Sequence, residues 1–126
     1  MSLCIVSAGK TLVLASTFFS LSWTHSVEKI EWQEDWHVEN HSLRLINARV
    51  KGSGAGMEPG ENAQLKNGWW EWQPQLPAQT ELILAASGTT PSAWKLCPQQ
   101  QACLDLAQHP SEPIKLWVCD PSLITQ

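Results

Sequence analysis

The chain has 126 residues, enough for one domain whose core is large enough to fold without metal or disulfide support. Twelve acidic against eight basic residues leave a formal charge of −4, which offers no basic face to nucleic acid or anionic lipid. No apolar run reaches the roughly 18 residues of a membrane-spanning helix, so direct membrane insertion is not expected.

The first nine residues carry no positive charge, Lys10 interrupts the apolar segment after them, and no small-residue cleavage site follows. The sequence as it starts therefore reads as cytoplasmic, and as periplasmic if an export segment lies upstream. Leu3 to Ala8 and Thr11 to Ala15 read as two strands around Gly9-Lys10, with glycine first in a type II′ turn. That register sets Val6 against Val13 and Cys4 against Ala15.

Trp23 to Val38 is the densest stretch, with three of the eight tryptophans, two histidines and four acidic residues. Its apolar positions alternate with the period of a half-buried strand, but in two phases. Phe19, Leu21, Trp23 and Val27 are odd-numbered; Ile30, Trp32, Trp36 and Val38 are even-numbered. A change of phase needs a turn or a bulge. A tight turn at Lys29-Ile30 would set Val27 against Trp32, His25 against Glu34, Trp23 against Trp36 and Leu21 against Val38. Lys-Ile lacks the asparagine or glycine of a primed turn, so a wider loop or a bulged strand is the alternative. In each version His25 and Glu34 occupy positions on apolar faces. A hydrogen-bonded structural pair explains them, because an unpaired buried polar group costs about 1–3 kcal/mol. A role in binding a ligand, a proton or a metal is the alternative.

Glu39 to Ser42 reads as a turn, and Leu43 to Val50 as a strand with Arg44, Ile46, Ala48 and Val50 on one face and Leu43 and Leu45 on the other. The glycines at 52, 54 and 56 are followed by Met57-Glu58-Pro59-Gly60, an acidic segment unsuited to opening a phosphate-binding helix, and there is no Gly-Lys-Ser/Thr ending. A sheet corner explains them better. Gly60 to Gly68 reads as loop with room for one helical turn. Trp69 to Trp72 reads as a short or edge strand bounded by Pro74 and Pro77, with Trp70 and Trp72 on one face and Trp69 on the other. Leu82 to Ala86 is a continuous apolar run, expected as a strand covered on both faces. Trp94 to Cys97 and Cys103 to Leu106 form a hairpin that opposes Leu96 to Leu104 and Cys97 to Cys103, close enough for a disulfide after small adjustment. Ile114 to Cys119 is the last strand.

Short strands between turn residues, with no helical stripe, indicate an all-β antiparallel sandwich or barrel. Residues 1–120 form one β domain, and 121–126 are tail.

Thr24-His25-Ser26-Val27-Glu28, Glu34, Trp36, the segment Arg49 to Pro59 and Trp94-Lys95-Leu96-Cys97 together resemble the bacterial domain of unknown function numbered 1850, over roughly Leu3 to Cys119. The resemblance implies association with tripartite TRAP-type transporters of the branch that uses TAXI solute-binding proteins. It implies no activity and no site residues.

A Ser-His-acid nucleophile is not supported, because His25 and Ser26, and likewise Glu34 and Asp35, point to opposite faces of a strand. Metal binding could draw on Cys97, Cys103, Cys119, His37 and His41, but Cys-x5-Cys is no zinc spacing and buried thiols explain the cysteines. No cofactor is expected. A carbohydrate-binding module is a third class, since Trp69, Trp70 and Trp72 cannot all face inward. The reading these features favour is a non-catalytic accessory or small-solute-binding domain. Its site would lie between the His25/Glu34 strands and the Trp69–Trp72 edge, drawing on His25, Glu34, Trp23, Trp36, Trp70 and Trp72. Its partner would be a TRAP-type transporter component or a small organic solute. An enzyme using His25 and Glu34 as an acid–base pair is the alternative.

Overall fold

A computed structural model of the chain describes residues 2–7, 9–24, 31–51, 62–84, 94–106 and 113–119. Their regular structure is all strand: β1 (Ser2–Ser7), β2 (Lys10–Leu14), β3 (Phe18–Thr24), β4 (Glu31–Glu39), β5 (Ser42–Lys51), β6 (Gln64–Lys66), β7 (Trp69–Trp72), β8 (Glu81–Leu84), β9 (Trp94–Pro98), β10 (Leu104–Leu106) and β11 (Ile114–Cys119). They assemble into a four-stranded sheet, in the order β2-β1-β11-β8, and a seven-stranded sheet, in the order β10-β9-β3-β4-β5-β7-β6. Every pairing is antiparallel.

The sheets bury each other's apolar faces, which makes the fold a β-sandwich. Leu3, Ile5, Leu84, Ile114 and Leu116 of the smaller sheet meet Phe19, Leu21, Trp36, Val38, Leu43, Leu45, Leu96 and Leu106 of the larger in one cluster. Alternation puts these residues on one side of each strand. Burying a side chain of this size contributes about 1.5–3 kcal/mol before chain entropy is counted.

The central hairpin does not take the register of a tight turn at Lys29-Ile30. Trp23 lies opposite Trp32, Leu21 opposite Glu34 and Phe19 opposite Trp36, and among the described residues the pairing runs as far as Thr24 opposite Glu31. The shift from the tight-turn register is an even number of residues, so the two apolar faces still coincide. In the observed register Phe19 and Trp36 stack with ring centres 6.5 Å apart. Lys29-Ile30 supplies no turn chemistry to hold the tighter alternative. Val27 and His25 lie outside the described residues.

A second difference lies in β5. Asp35 pairs with Asn47 but Trp36 with Leu45, so Ile46 is the extra residue of a β-bulge. The bulge changes the strand's phase: Leu43 and Leu45 before it and Ala48 and Val50 after it are all buried, whereas uninterrupted alternation separates them.

Three further elements differ from expectation. β1 and β2 pair Ser7 with Lys10, Val6 with Thr11 and Cys4 with Val13, so Gly9 is the second turn residue, at φ 77°, and Leu3 and Ile5 face Leu14 and Leu12. Within the expected 60–68 loop, Gln64–Lys66 is a strand. It is joined to β7 by Asn67-Gly68, whose φ angles of 53° and 86° are both positive, as a type I′ turn demands. β8 alternates, with Ile83 57% exposed and Leu84 buried, because it is an edge strand covered on one face; Ala85 and Ala86 lie outside the described residues. The glycine cluster at 52–56 does too.

The turn at Asn40-His41 falls where expected, with Glu39 paired to Ser42 and His41 at φ 67°. The β9–β10 hairpin opposes Leu96 to Leu104 as expected, and Cys97 and Cys103 are joined by a disulfide. A second disulfide, Cys4–Cys119, ties β1 to β11.

Candidate functional site: a carboxyl on a tryptophan-lined sheet face

The larger sheet presents two chemically different faces. On the outer face Arg49 of β5 lies between Gln33 of β4 and Glu71 of β7, with Asp35 diagonally beside it on β4. Arg49 donates from Nη1 and Nη2 to the Asp35 carboxylate at 2.7 and 3.0 Å and from Nε to Gln33 Oε1 at 3.0 Å, with Glu71 at 3.6 Å. The bond to Asp35 is the first reason that the guanidinium is held charged, with its pKa raised against the opposing effect of burial.

The inner face is apolar with one exception. Registers across the sheet place Trp94, Trp23, Trp32, Val50 and Trp70 in one row, and Leu96, Leu21, Glu34, Ala48 and Trp72 in the next. The rows are about 7 Å apart, two residues along a strand. Glu34 is the one charged side chain on this face among the described residues. Burial pushes its carboxyl above its ordinary pKa, and the hydrogen bond from Trp36 Nε1 to Oε1, at 3.0 Å, acts in the lowering direction.

The tryptophans beside it touch one another. Trp23 stacks on Trp32 with ring centres 6.1 Å apart and meets Trp94 at a tilt with centres 4.7 Å apart, while Trp72 meets Trp32 edge-on at 6.0 Å. All four are half-buried, unlike Trp36 and Phe19 deeper in the sandwich. Trp32 Nε1 is buried without a hydrogen-bond partner. This end of the sheet therefore joins one carboxyl, one unsatisfied donor and several indole faces that reach solvent.

Of the residues singled out from sequence, the structure brings Glu34, Trp23 and Trp72 to this face in neighbouring positions. Trp36 is there also, but as a core side chain stacked on Phe19 that donates to Glu34. Trp70 lies opposite Val50 in the tryptophan row. Glu34 faces Leu21 across the hairpin; His25 lies outside the described residues. Sequence reasoning missed Trp32 and Trp94 as site residues. The alternation Trp32-Glu34-Trp36 already carried the signal for the first. The second depends on β3 pairing with β9, which no local pattern records.

The three-tryptophan platform divides: Trp69 lies on the outer face, 5.7 Å from the Lys51 ammonium, away from Trp70 and Trp72. Both disulfides consume thiols considered as metal ligands, and His37, paired in register with Phe18 and Arg44 on the outer face, stands apart from the His41 turn. Among the described residues no three His, Cys, Asp or Glu side chains form a metal set.

A family model described as "Domain of unknown function (DUF1850)" matches residues 19–106. Those residues span all seven strands of the larger sheet except the first position of β3, and so contain the whole tryptophan row and Glu34. No curated protein and no solved structure matches the chain.

Proposed function

The chain belongs to this family of domains of unknown function, and we propose that it is a non-catalytic domain that binds a small solute on the inner face of its larger sheet. The observation that carries the reading is the placement of Glu34. A carboxyl on an apolar face is costly unless a partner compensates it, and Trp36 Nε1 supplies one hydrogen bond to one of its oxygens. Solvent-reaching indoles around a single polar anchor are the composition of a small-molecule site, in which aromatic faces exclude water and the anchor orients the ligand. An acid–base pair would need a second titratable group against Glu34, and its neighbours in register are Leu21 and Ala48.

Service to a TRAP-type transport system of the TAXI branch is part of the same proposal, and the family resemblance supports it. The domain would act either as a partner of the membrane component or by holding solute for it.

Thermal-shift screening of organic acids, sugars, amines and divalent metals tests the binding reading, with Glu34→Gln and His25→Ala run in parallel. The expected result is a rise in melting temperature with one solute class that disappears in Glu34→Gln. A protein indifferent to every class, or one whose response survives Glu34→Gln unchanged, would contradict the assignment.

A further inference from the structure

Resting on the solute-binding reading, we propose that the inner-face site takes an organic cation of the alkylammonium class. The indoles of Trp23, Trp32, Trp72 and Trp94 would receive its alkyl groups, and the Glu34 carboxylate would balance its charge. Three observations select this chemistry over the others.

The first is charge. On the inner face of the larger sheet Glu34 is the one ionisable side chain among the described residues, while Arg49, Lys51, Lys66 and Lys95 all project from the opposite face by strand alternation. A carboxylate solute would meet a like charge with no described cation to offset it. A divalent metal would find one carboxyl where it needs several oxygen ligands.

The second is the arrangement of the rings. Trp23 and Trp32 are nearly parallel, at 10°, Trp94 is inclined 41° to Trp23, and Trp72 stands at 83° to Trp32. A pyranose is a chair whose C–H face stacks on one exposed indole plane. Walls at several inclinations suit a compact, rounded head group. Indole faces attract a cation through their quadrupole, and most strongly one whose hydration is weak, as in alkylated ammonium.

The third is the unsatisfied Trp32 Nε1. It offers a donor beside a site for positive charge, which fits a cation bearing a hydroxyl or carbonyl oxygen a short distance from its nitrogen.

Choline and its uncharged carbon analogue, 3,3-dimethylbutan-1-ol, have nearly the same shape and separate charge from size. Calorimetric titration of the oxidised protein with each should show saturable binding of choline and at least tenfold weaker binding of the alcohol. Glu34→Gln should abolish that preference and Glu34→Asp should retain part of it. Trp72→Leu should weaken choline without removing the preference, a second measurement in case Glu34→Gln does not fold. Equal affinity for both compounds overturns the cation while leaving solute binding intact, as does binding confined to sugars or organic acids. No binding of choline overturns the cation proposal. If the wider solute screen is silent as well, the solute-binding reading falls with it.

Discussion

Trp36 Nε1 donates to Glu34 Oε1 at 3.0 Å within a single strand, so the indole that helps build the core also anchors the one carboxyl that the described residues place on the inner face. The two residues lie on the same side of β4, two positions apart. Trp36 stacks on Phe19, and this fixes the donor's direction.

That carboxyl makes stability depend on pH in an identifiable direction. Its folded pKa is raised above the ordinary value of 4.5, first by burial, so the folded state holds the proton more tightly than the unfolded chain. Its contribution is most favourable below the unfolded value and is lost as pH rises through the folded one. Leu21 and Ala48 opposite it do not titrate. Glu34→Gln should therefore be more stable than the parent at pH 8, with the difference vanishing near pH 4. Urea titrations of both proteins across this range measure it, and a difference independent of pH would remove the charge from the explanation.

Trp36→Phe keeps most of the ring stack and deletes the donor. It should cost about 1–3 kcal/mol, the usual penalty for stripping a partner from a buried polar group. The same substitution should raise the Glu34 pKa further, which carbonyl-labelled NMR reads directly. A variant as stable as the parent, with Glu34 unmoved, would mean that the bond contributes nothing.

How much of this was legible varies by element, for physical reasons. Local turn chemistry was sufficient at Asn40-His41. It was equally available at Asn67-Gly68, the strongest short hairpin signal there is, where a loop was expected instead. The bulge at Ile46 has no local mark; it exists because Leu43 and Leu45 must share a face with Ala48 and Val50, a demand of the other sheet. The observed register of the central hairpin could not be separated from that of a turn at Lys29-Ile30 by alternation alone, because registers differing by an even number leave the same faces together. Glu34 was legible as a carboxyl on an apolar face. Trp94 was not, since its contact with Trp23 is made by strands about 70 residues apart in sequence.

Gly68 offers a clean check of the turn. Its φ is 86°, and a Cβ added there would meet nothing within 4 Å, so an alanine substitution costs backbone strain alone. Gly68→Ala should lose about 1 kcal/mol, and Asn67→Gly, which suits the same conformation, should lose much less. Chemical denaturation measures both. Equal losses would mean that positive φ is not what the turn requires.

The disulfides give a prediction about thiols. Among the described residues no cysteine is free, and all four cysteines of the chain are paired. Denatured but unreduced protein matured in an oxidising compartment should show no reactive thiol. Cys4–Cys119 closes a loop 115 residues in separation and Cys97–Cys103 one of 6. On chain entropy, losing the first costs about 4–5 kcal/mol and the second about 2. The Cys4→Ser/Cys119→Ser double variant should thus be destabilised more than Cys97→Ser/Cys103→Ser, and the reverse order would show that local geometry governs instead.

The most direct measurement of the central claim uses the eight indole N–H groups as separate reporters. In a nitrogen-15 spectrum of the labelled protein, a solute bound on the inner face should move the signals of Trp23, Trp32, Trp72 and Trp94. Trp32 should move furthest, because its N–H is buried and unpartnered. Trp69 and Trp117, which lie on the outer faces beside Lys51 and Lys115, should stay where they are. Shifts confined to Trp69 or Trp117 would place binding on the wrong side of the sandwich and contradict the account.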